Sequence, residues 1–163
     1  MRIAVGSDHR GYEAKERIKA IVAELGHECV DFGTGDNNPV DYPDSAYLVA
    51  RAVSGSEADR GILACATGIG MCIAANKIDG IRAALCHDEL SAAISRDHND
   101  ANVLCLAGEQ VGEAMLRKIV DVWLSTEFSG GRHRRRVNKI RAIERGKDPR
   151  QAVNVLDGAV ESD

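Results

Sequence analysis

Aromatic residues are scarce in this chain, and long apolar runs are absent. Phe, Trp and Tyr make up 4% of the 163 residues, so Ala, Val, Ile and Leu must supply most of a core. No segment approaches the roughly eighteen consecutive apolar residues of a membrane span. The opening "MRIAVGSDHR" reaches charged residues before the apolar stretch of a signal peptide can form. We therefore expect no membrane partner and one ordinary globular domain.

The cysteines lack the spacing of a disulfide framework or of a metal site. Their number is odd, no C-x-x-C pair occurs, and no Cys or His pairs stand at zinc-ligand spacing. We therefore expect no metal, and we expect the reducing cytoplasm as the location of the protein. The cysteines other than Cys65 are expected to be small core residues: Cys29, Cys72, Cys86 and Cys105.

The net charge of −4 conceals a strongly basic segment. From residue 130 to residue 147, eight Lys or Arg accompany one Glu, a local charge of +7, so the other 13 basic and 24 acidic residues carry −11. Such a segment is expected to meet an anion. Non-specific nucleic-acid binding is one alternative, but the acidic remainder and the scarcity of aromatics favour a small phosphorylated substrate and no nucleic acid.

Arg132 and Arg136 are four residues apart, so on a helix they would share a face and could bind one phosphate together. A solvated helix face or a dimer contact is the alternative for the remaining basic residues.

Apolar runs and helical patterns alternate along the chain, which predicts an α/β fold. The predicted strands are Arg2–Gly6, Cys29–Phe32, Gly61–Cys65, Arg82–Leu85 and Val103–Leu106. The predicted helices are Gly11–Leu25, Asp44–Val53, Gly70–Lys77, His87–Arg96, Gly112–Leu124 and a basic helix from about Arg134 to Arg145. Near-continuous apolar strands predict a doubly wound, Rossmann-like, five-stranded and mainly parallel sheet with helices on both faces. We expect residues 1–147 to form the domain, with the basic helix as a C-terminal arm, and residues 148–163 to form a polar tail.

The segment "LACATGIGMCIAANK" from Leu63 to Lys77 follows the third predicted strand. A dinucleotide-binding loop does not fit, because Ile73 stands where the third glycine belongs, and a Walker loop fails at the spacing of Lys77. The glycines Gly68 and Gly70 instead leave backbone N–H groups free at a helix start, which suits a phosphate or an oxyanion. Cys65 beside them is a candidate base or nucleophile with Thr67 in reach; the alternative is that Cys65 simply ends a buried strand.

Other polar residues follow the neighbouring strands. Ligands of open α/β sheets gather at the carboxyl ends of the strands, where Asp8 and His9 follow the first strand and Tyr42 lies in the loop after the second. A plain helix cap is the alternative for Asp8 and His9. His98 follows the fourth predicted helix and should emerge at the opposite edge of the sheet. If His98 is functional, we predict that it enters the pocket of a neighbouring chain; a solvated polar turn is the alternative.

The motifs together resemble the family of type B ribose-5-phosphate isomerases, which includes galactose- and allose-6-phosphate isomerases. The resemblance spans "GSDHRG", "DYPD", "CATGIGMCIAANK", "RDHNDAN" and "GGRHRRRV", up to about Ala142. It implies a homodimer or tetramer with shared active sites, no metal and no cofactor.

The resemblance also implies a role for each candidate residue. Cys65 would move the proton between C1 and C2 of the open-chain sugar, assisted by Thr67, and the amides from Gly68 to Gly70 would hold the enediolate. Asp8 would handle protons on the sugar oxygens and His98 would open the ring. The implied substrate contacts are Asn99 and Tyr42, with His9, Arg132 and Arg136 at the phosphate.

One position departs from the family pattern. Relatives usually carry an arginine shortly after the fifth strand, whereas this chain has Glu109 in "LAGEQVG". A carboxylate cannot replace a guanidinium in binding a dianion. The expected reaction is interconversion of D-ribose 5-phosphate and D-ribulose 5-phosphate through a cis-enediol. The alternatives are another sugar phosphate, such as allose 6-phosphate, galactose 6-phosphate or a four-carbon substrate, or a non-catalytic phosphate-binding module.

Overall fold

The computed structural model describes residues 1–152, in which five strands alternate with helices. The strands are β1 (Arg2–Ser7), β2 (Glu28–Asp31), β3 (Arg60–Cys65), β4 (Ala83–Leu85) and β5 (Val103–Ala107). The helices are α1 (Tyr12–Glu24), α2 (Tyr42–Ser54), α3 (Ile69–Ala75), α4 (Glu89–Asn99), α5 (Glu113–Ser125) and α6 (Gly131–Glu144). Most of the predicted polar tail, residues 153–163, lies outside the described residues.

The strands form one sheet, in which every pairing is parallel. The strand order is β2-β1-β3-β5-β4. The predicted α/β fold with a five-stranded sheet is therefore confirmed. The chain runs outward from β1 to β2 and then crosses over to β3 on the other side of β1, so the winding direction reverses between β1 and β3. In doubly wound sheets, the crevice at such a reversal is the usual place of a ligand.

Two apolar clusters hold the helices on the two faces of the sheet. On one face, α1 and α5 bury large side chains such as Ile18, Leu116 and Trp123 against the strands. On the other face, α2 buries smaller ones, among them Ala46 and Val49, and α3 buries Met71. Full burial of an aliphatic side chain of Val or Leu size stabilises a fold by about 1.5–3 kcal/mol. The strands are thereby packed against helices on both faces.

An ion pair with a buried lysine connects α1 to the end of β2. Lys15 is 1% exposed, and its Nζ donates to Asp31 Oδ2 at 2.7 Å and to the carbonyl oxygen of Thr34 at 2.6 Å. Burial alone would raise the pKa of Asp31, but the hydrogen bonds from Lys15, Lys19 and the Gly33 amide outweigh it and hold that pKa below its usual value. The ionised carboxylate of Asp31 therefore stabilises the folded state.

The largest differences from the sequence-based expectation, three residues each, are at the end of α4 and at the start of α6. Helix α4 continues through Asn99, so His98 lies in its last turn rather than after it; the helix ends at Asp100, whose φ of 48° is left-handed. Helix α6 begins at Gly131 instead of Arg134, because the turn at Gly130 (φ 68°) redirects the chain directly before it. The longer α6 includes both Arg132 and Arg136, which therefore stand one turn apart on one helix.

Candidate active site

Cys65 ends β3 inside a tight glycine loop. Its side chain is 5% exposed, and Sγ accepts a hydrogen bond from the backbone N–H of Gly68 at 3.0 Å. Gly68 has a left-handed φ of 75°, and a Cβ there would lie 2.5 Å from Leu85 Cδ1 and 2.9 Å from the carbonyl carbon of Leu106. Position 68 therefore requires glycine for its backbone angle and for space. The loop surrounds the sulfur and places the N–H of Gly68 in hydrogen-bonding distance of it.

Thr67 and Gly70 complete this loop at the start of α3. The Oγ1 of Thr67 accepts the N–H of Ile69 at 3.4 Å. Gly70 lies in the first turn, whose N–H groups lack partners within a helix. The ring of Tyr42 covers Gly70, since a Cβ on that glycine would lie 2.8 Å from two of its ring carbons. Tyr42 is the first residue of α2 rather than part of the preceding loop, and from there its ring flanks the glycine loop.

Asp8 and His9 leave β1 beside the Cys65 loop. The register pairs Ser7 of β1 with Ala64 of β3, so the residues that follow each of them are neighbours. Asp8 is 6% exposed and its Oδ1 accepts the N–H of Gly11 at 2.8 Å. His9 Nδ1 lies 3.3 Å from both the backbone N and the backbone O of Val40, which links it to the loop before α2. Asp8 and His9 thus share one edge of the sheet with Cys65.

Glu109 forms an ion pair that the sequence did not indicate. Arg10 Nε donates to Glu109 Oε1 at 2.7 Å, and Arg10 Nη2 donates to Glu109 Oε2 at 2.7 Å. The hydrogen bond and the charge of Glu109 raise the pKa of the Arg10 guanidinium, with smaller contributions from Asp8 and Cys65. The carboxylate that departs from the family pattern therefore neutralises an arginine next to Asp8 and His9. No sequence spacing links positions 10 and 109, and only the sheet brings them together.

The remaining candidate residues lie at the opposite edge. Asn99 accepts a hydrogen bond from Arg82, which precedes β4, through its backbone oxygen at 3.1 Å. The carbonyl oxygen of Asn102 accepts the N–H of Gly61 at the start of β3. The last turn of α4, which carries His98 and Asn99, is therefore next to the amino ends of the strands, whereas Cys65 ends a strand. The structure does not bring His98 and Cys65 together within one chain.

A second histidine packs against His98. The ring of His133, on α6, stacks on the ring of His98 with centroids 4.0 Å apart and planes 6° from parallel. Arg132 Nε donates to His133 Nε2 at 3.3 Å, which requires that nitrogen to be unprotonated. Burial, followed by the nearby charges of His98, Arg132 and Arg136, lowers the pKa of His133. His98 and the two arginines thus form one cluster on α4 and α6, and sequence reasoning missed His133 as part of it.

Cys72 on α3 is a further cysteine with unusual chemistry. It is half-buried, and its Sγ donates to the carbonyl oxygen of Ala83 at 3.4 Å and accepts from Asn76 Nδ2 at 3.6 Å. The neighbouring thiol of Cys105 lowers the pKa of Cys72 from 9.0 to about 7, while burial raises the pKa of Cys105. The sequence-based expectation that both are small core residues is correct for Cys105 and incomplete for Cys72. The spacing of the two positions carries no signal, because they belong to different elements of the fold.

Two features are absent from residues 1–152. No group of three or more His, Cys, Asp or Glu side chains in that range could hold a metal ion. No helix in the same range is both long and apolar enough to cross a membrane.

Known proteins match this chain over most of its length. The ribose/galactose isomerase family matches residues 3–140. The ribose-5-phosphate isomerase B of Escherichia coli is 48% identical over 147 residues, which cover 90% of this chain and 99% of that protein. The D-erythrulose-4-phosphate isomerase of Pectobacterium atrosepticum is 42% identical over 143 residues, covering 86% and 93%. The solved structure of the ribose-5-phosphate isomerase B of Clostridium thermocellum is similar with a TM-score of 0.88 at 51% identity, covering 90% and 99%.

Proposed function

Because the chain belongs to the ribose/galactose isomerase family and is a sugar phosphate isomerase, we propose that it acts through Cys65 as the base of an aldose–ketose isomerisation. Its substrate is D-ribose 5-phosphate, and its product is D-ribulose 5-phosphate. The observation that carries this mechanism is the hydrogen bond from the Gly68 N–H to Cys65 Sγ at 3.0 Å. That bond fixes Sγ beside the backbone donors of the glycine loop, and a thiolate is the form of cysteine that accepts a proton.

The reaction moves one proton from C2 of the aldose to C1 of the ketose. The Cys65 thiolate takes the proton from C2 and leaves a cis-enediolate, and the resulting thiol returns it to C1. The N–H groups of the first turn of α3, at Gly70, stabilise the enediolate oxygens, and Thr67 supports them. Asp8 moves the proton between O2 and O1. These steps call for a base and an oxyanion site, and we propose that no cofactor takes part.

We propose that the site is completed by a second copy of the chain, in a homodimer or a tetramer. Cys65 and His98 belong to opposite edges of the sheet, so the His98 that opens the sugar ring would come from the neighbouring subunit, with Asn99 beside it. The helices that flank the edge strand β4 carry exposed apolar side chains suited to such a contact: Ile69 and Ile73 on α3, and Leu90 and Ile94 on α4.

The phosphate is held at the same boundary between subunits. Arg132 and Arg136 stand one turn apart on α6, next to His98, and supply the charge that a dianion needs. His9 contacts the phosphate from the Cys65 side, and Tyr42 forms a wall of the pocket. A substrate that bridges both edges would therefore use all of the candidate residues at once.

We also propose a cytoplasmic location and a role in pentose phosphate metabolism. The five cysteines are free thiols, which is the state that a reducing compartment maintains.

Another sugar phosphate is the second candidate substrate. The similarity to a D-erythrulose-4-phosphate isomerase supports it, as does Glu109, which alters the charge at the phosphate end. The test is isomerisation in D₂O with excess chelator, using ribose 5-phosphate, allose 6-phosphate, galactose 6-phosphate and erythrulose 4-phosphate in parallel. We expect the fastest turnover with ribose 5-phosphate and deuterium at its C2. Binding of these sugars without exchange at any carbon would leave only a phosphate-binding module.

A further inference from the structure

The loops at the carboxyl edge of the sheet carry several acidic side chains and a single Lys or Arg. Within the described chain, these loops are residues 8–11, 32–41, 66–68, 86–88 and 108–112, which join each strand to the helix that follows. They hold five carboxylates, Asp8, Asp36, Asp41, Asp88 and Glu109, and a single Lys or Arg, which is Arg10. A sugar phosphate carries about two negative charges near neutral pH. An acidic edge repels such a ligand unless a cation is placed to meet it.

Arg10 has donors available for a second acceptor. Its two bonds to Glu109 use the Nε hydrogen and one Nη2 hydrogen, so three of the five guanidinium hydrogens are not engaged by that carboxylate. The Arg10 side chain is 56% exposed. The two-point contact with Glu109 fixes the plane of the guanidinium, which reduces the entropy lost when an anion binds.

We propose that Arg10, held in place by Glu109, binds the phosphate group of the substrate on the Cys65 side of the site. Arg10 directly follows His9, and its partner Glu109 follows β5, whose Ala107 is paired with Cys65 of β3, so Arg10 stands at the same edge of the sheet as the reacting groups. Glu109 is then a positioning residue rather than a ligand. This inference rests on the proposed function for the identity of the substrate, but its phosphate chemistry can be measured without turnover.

The experiment titrates inorganic phosphate into the full-length protein by calorimetry and compares three variants with the unaltered chain. Arg10→Ala removes the guanidinium, and Glu109→Gln removes the carboxylate charge but keeps one acceptor for Arg10. Arg117→Ala is the matched control, because Arg117 is 53% exposed and pairs with a glutamate, Glu24, on helices α5 and α1.

We expect Arg10→Ala to weaken phosphate binding about tenfold or more, the size of a lost charge-assisted contact. Glu109→Gln should tighten it about two- to threefold, since a nearby negative charge is gone. Arg117→Ala should stay within about twofold. The proposal is overturned if the phosphate affinity of Arg10→Ala also stays within twofold, or if Arg10→Ala and Glu109→Gln weaken phosphate binding alike. The ion pair would then only connect two loops.

Kinetics with ribose 5-phosphate provide the second readout. Arg10→Ala should raise KM by about tenfold with a smaller change in kcat, because a phosphate contact is made in the ground state and in the transition state alike. A drop in kcat alone, with KM unchanged, would contradict the assignment. If the unaltered protein turns over no sugar phosphate, the proposed function fails, and the phosphate affinities still decide the role of Arg10.

Discussion

Substitution of Gly68 by alanine tests whether the loop around Cys65 is as tightly built as the structure indicates. An alanine at a left-handed φ of 75° costs about 1–2 kcal/mol. Its Cβ would lie 2.5 Å from Leu85 Cδ1 and 2.9 Å from the carbonyl carbon of Leu106. The leucine side chain can move, but Leu106 belongs to the buried strand β5, and overpacking of this kind costs about 1–3 kcal/mol. The total is about 2–5 kcal/mol of unfolding free energy.

The matched control is Gly26→Ala. Gly26 also has a left-handed φ, 77°, but nothing lies within 4 Å of the position of its Cβ. Gly26→Ala should therefore lose only the 1–2 kcal/mol of backbone strain. At about 2–4 °C per kcal/mol for a chain of this size, Gly68→Ala should lower Tm by about 4–20 °C and Gly26→Ala by about 2–8 °C.

Calorimetric melting of both variants, followed by turnover measured well below their melting temperatures, provides the assay. Gly68→Ala should also lose at least about tenfold in kcat, because the N–H that donates to Cys65 Sγ shifts with the loop. Gly26→Ala should retain its turnover. Equal losses of stability in the two variants would show that a Cβ at position 68 does not clash with its neighbours. Full turnover in Gly68→Ala would show that the N–H of residue 68 is not needed for catalysis.

Three further predictions address charge, thiol chemistry and subunit sharing. Asp31→Asn should cost about 1.5–3 kcal/mol of unfolding free energy at pH 7. Because the folded-state pKa of Asp31 lies below its usual 3.8, this contribution is present above that value and disappears as pH falls through the lower one; denaturant titrations that show a constant difference down to pH 2 would contradict it. Cys105→Ala should move the pH midpoint of Cys72 alkylation, followed by mass spectrometry, upward from about 7 toward 9.0. The same midpoint in the variant and in the unaltered chain would refute the influence of Cys105 on Cys72. Cys65→Ala and His98→Ala chains, each inactive alone, should recover about a quarter of full activity when they are co-expressed in equal amounts as dimers. Half of the dimers are then mixed, and each mixed dimer keeps one intact site of two. No recovery would mean that both residues of a site come from the same chain.

The fold was largely predictable, because its strands are continuous apolar runs. Strands β1, β3 and β5 are buried on both faces, and such strands have an apolar pattern that turn residues bound clearly. The position of β5 between β3 and β4 was not predictable, since strand order depends on contacts between distant residues. The length of α4 was underestimated because its end depends on Asp100, whose carboxylate binds Arg82 and Arg96.

The candidate site was predictable where its residues follow the strands. Asp8 and Cys65 came from the rule that ligands gather at the carboxyl edge, and the structure places them next to each other. The partner of Glu109 was not predictable, because Arg10 is 99 positions away and meets it only across the sheet. The stacking of His98 and His133 depends likewise on how α6 packs against α4. Residues within one loop follow from local sequence, whereas pairs between elements require the assembled fold.

The central claim is that Cys65 is the base that moves the proton. The most direct measurement is the kcat of Cys65→Ala for ribose 5-phosphate, together with deuterium exchange at C2, compared with Cys72→Ala. Cys72 is the matched control, because its thiol pKa is lowered to about 7 but it belongs to the body of α3 rather than to the glycine loop. We predict that Cys65→Ala loses about 10²–10⁴-fold in kcat and in exchange, while Cys72→Ala retains both. Retained exchange in Cys65→Ala, or its loss in Cys72→Ala alone, would contradict the account.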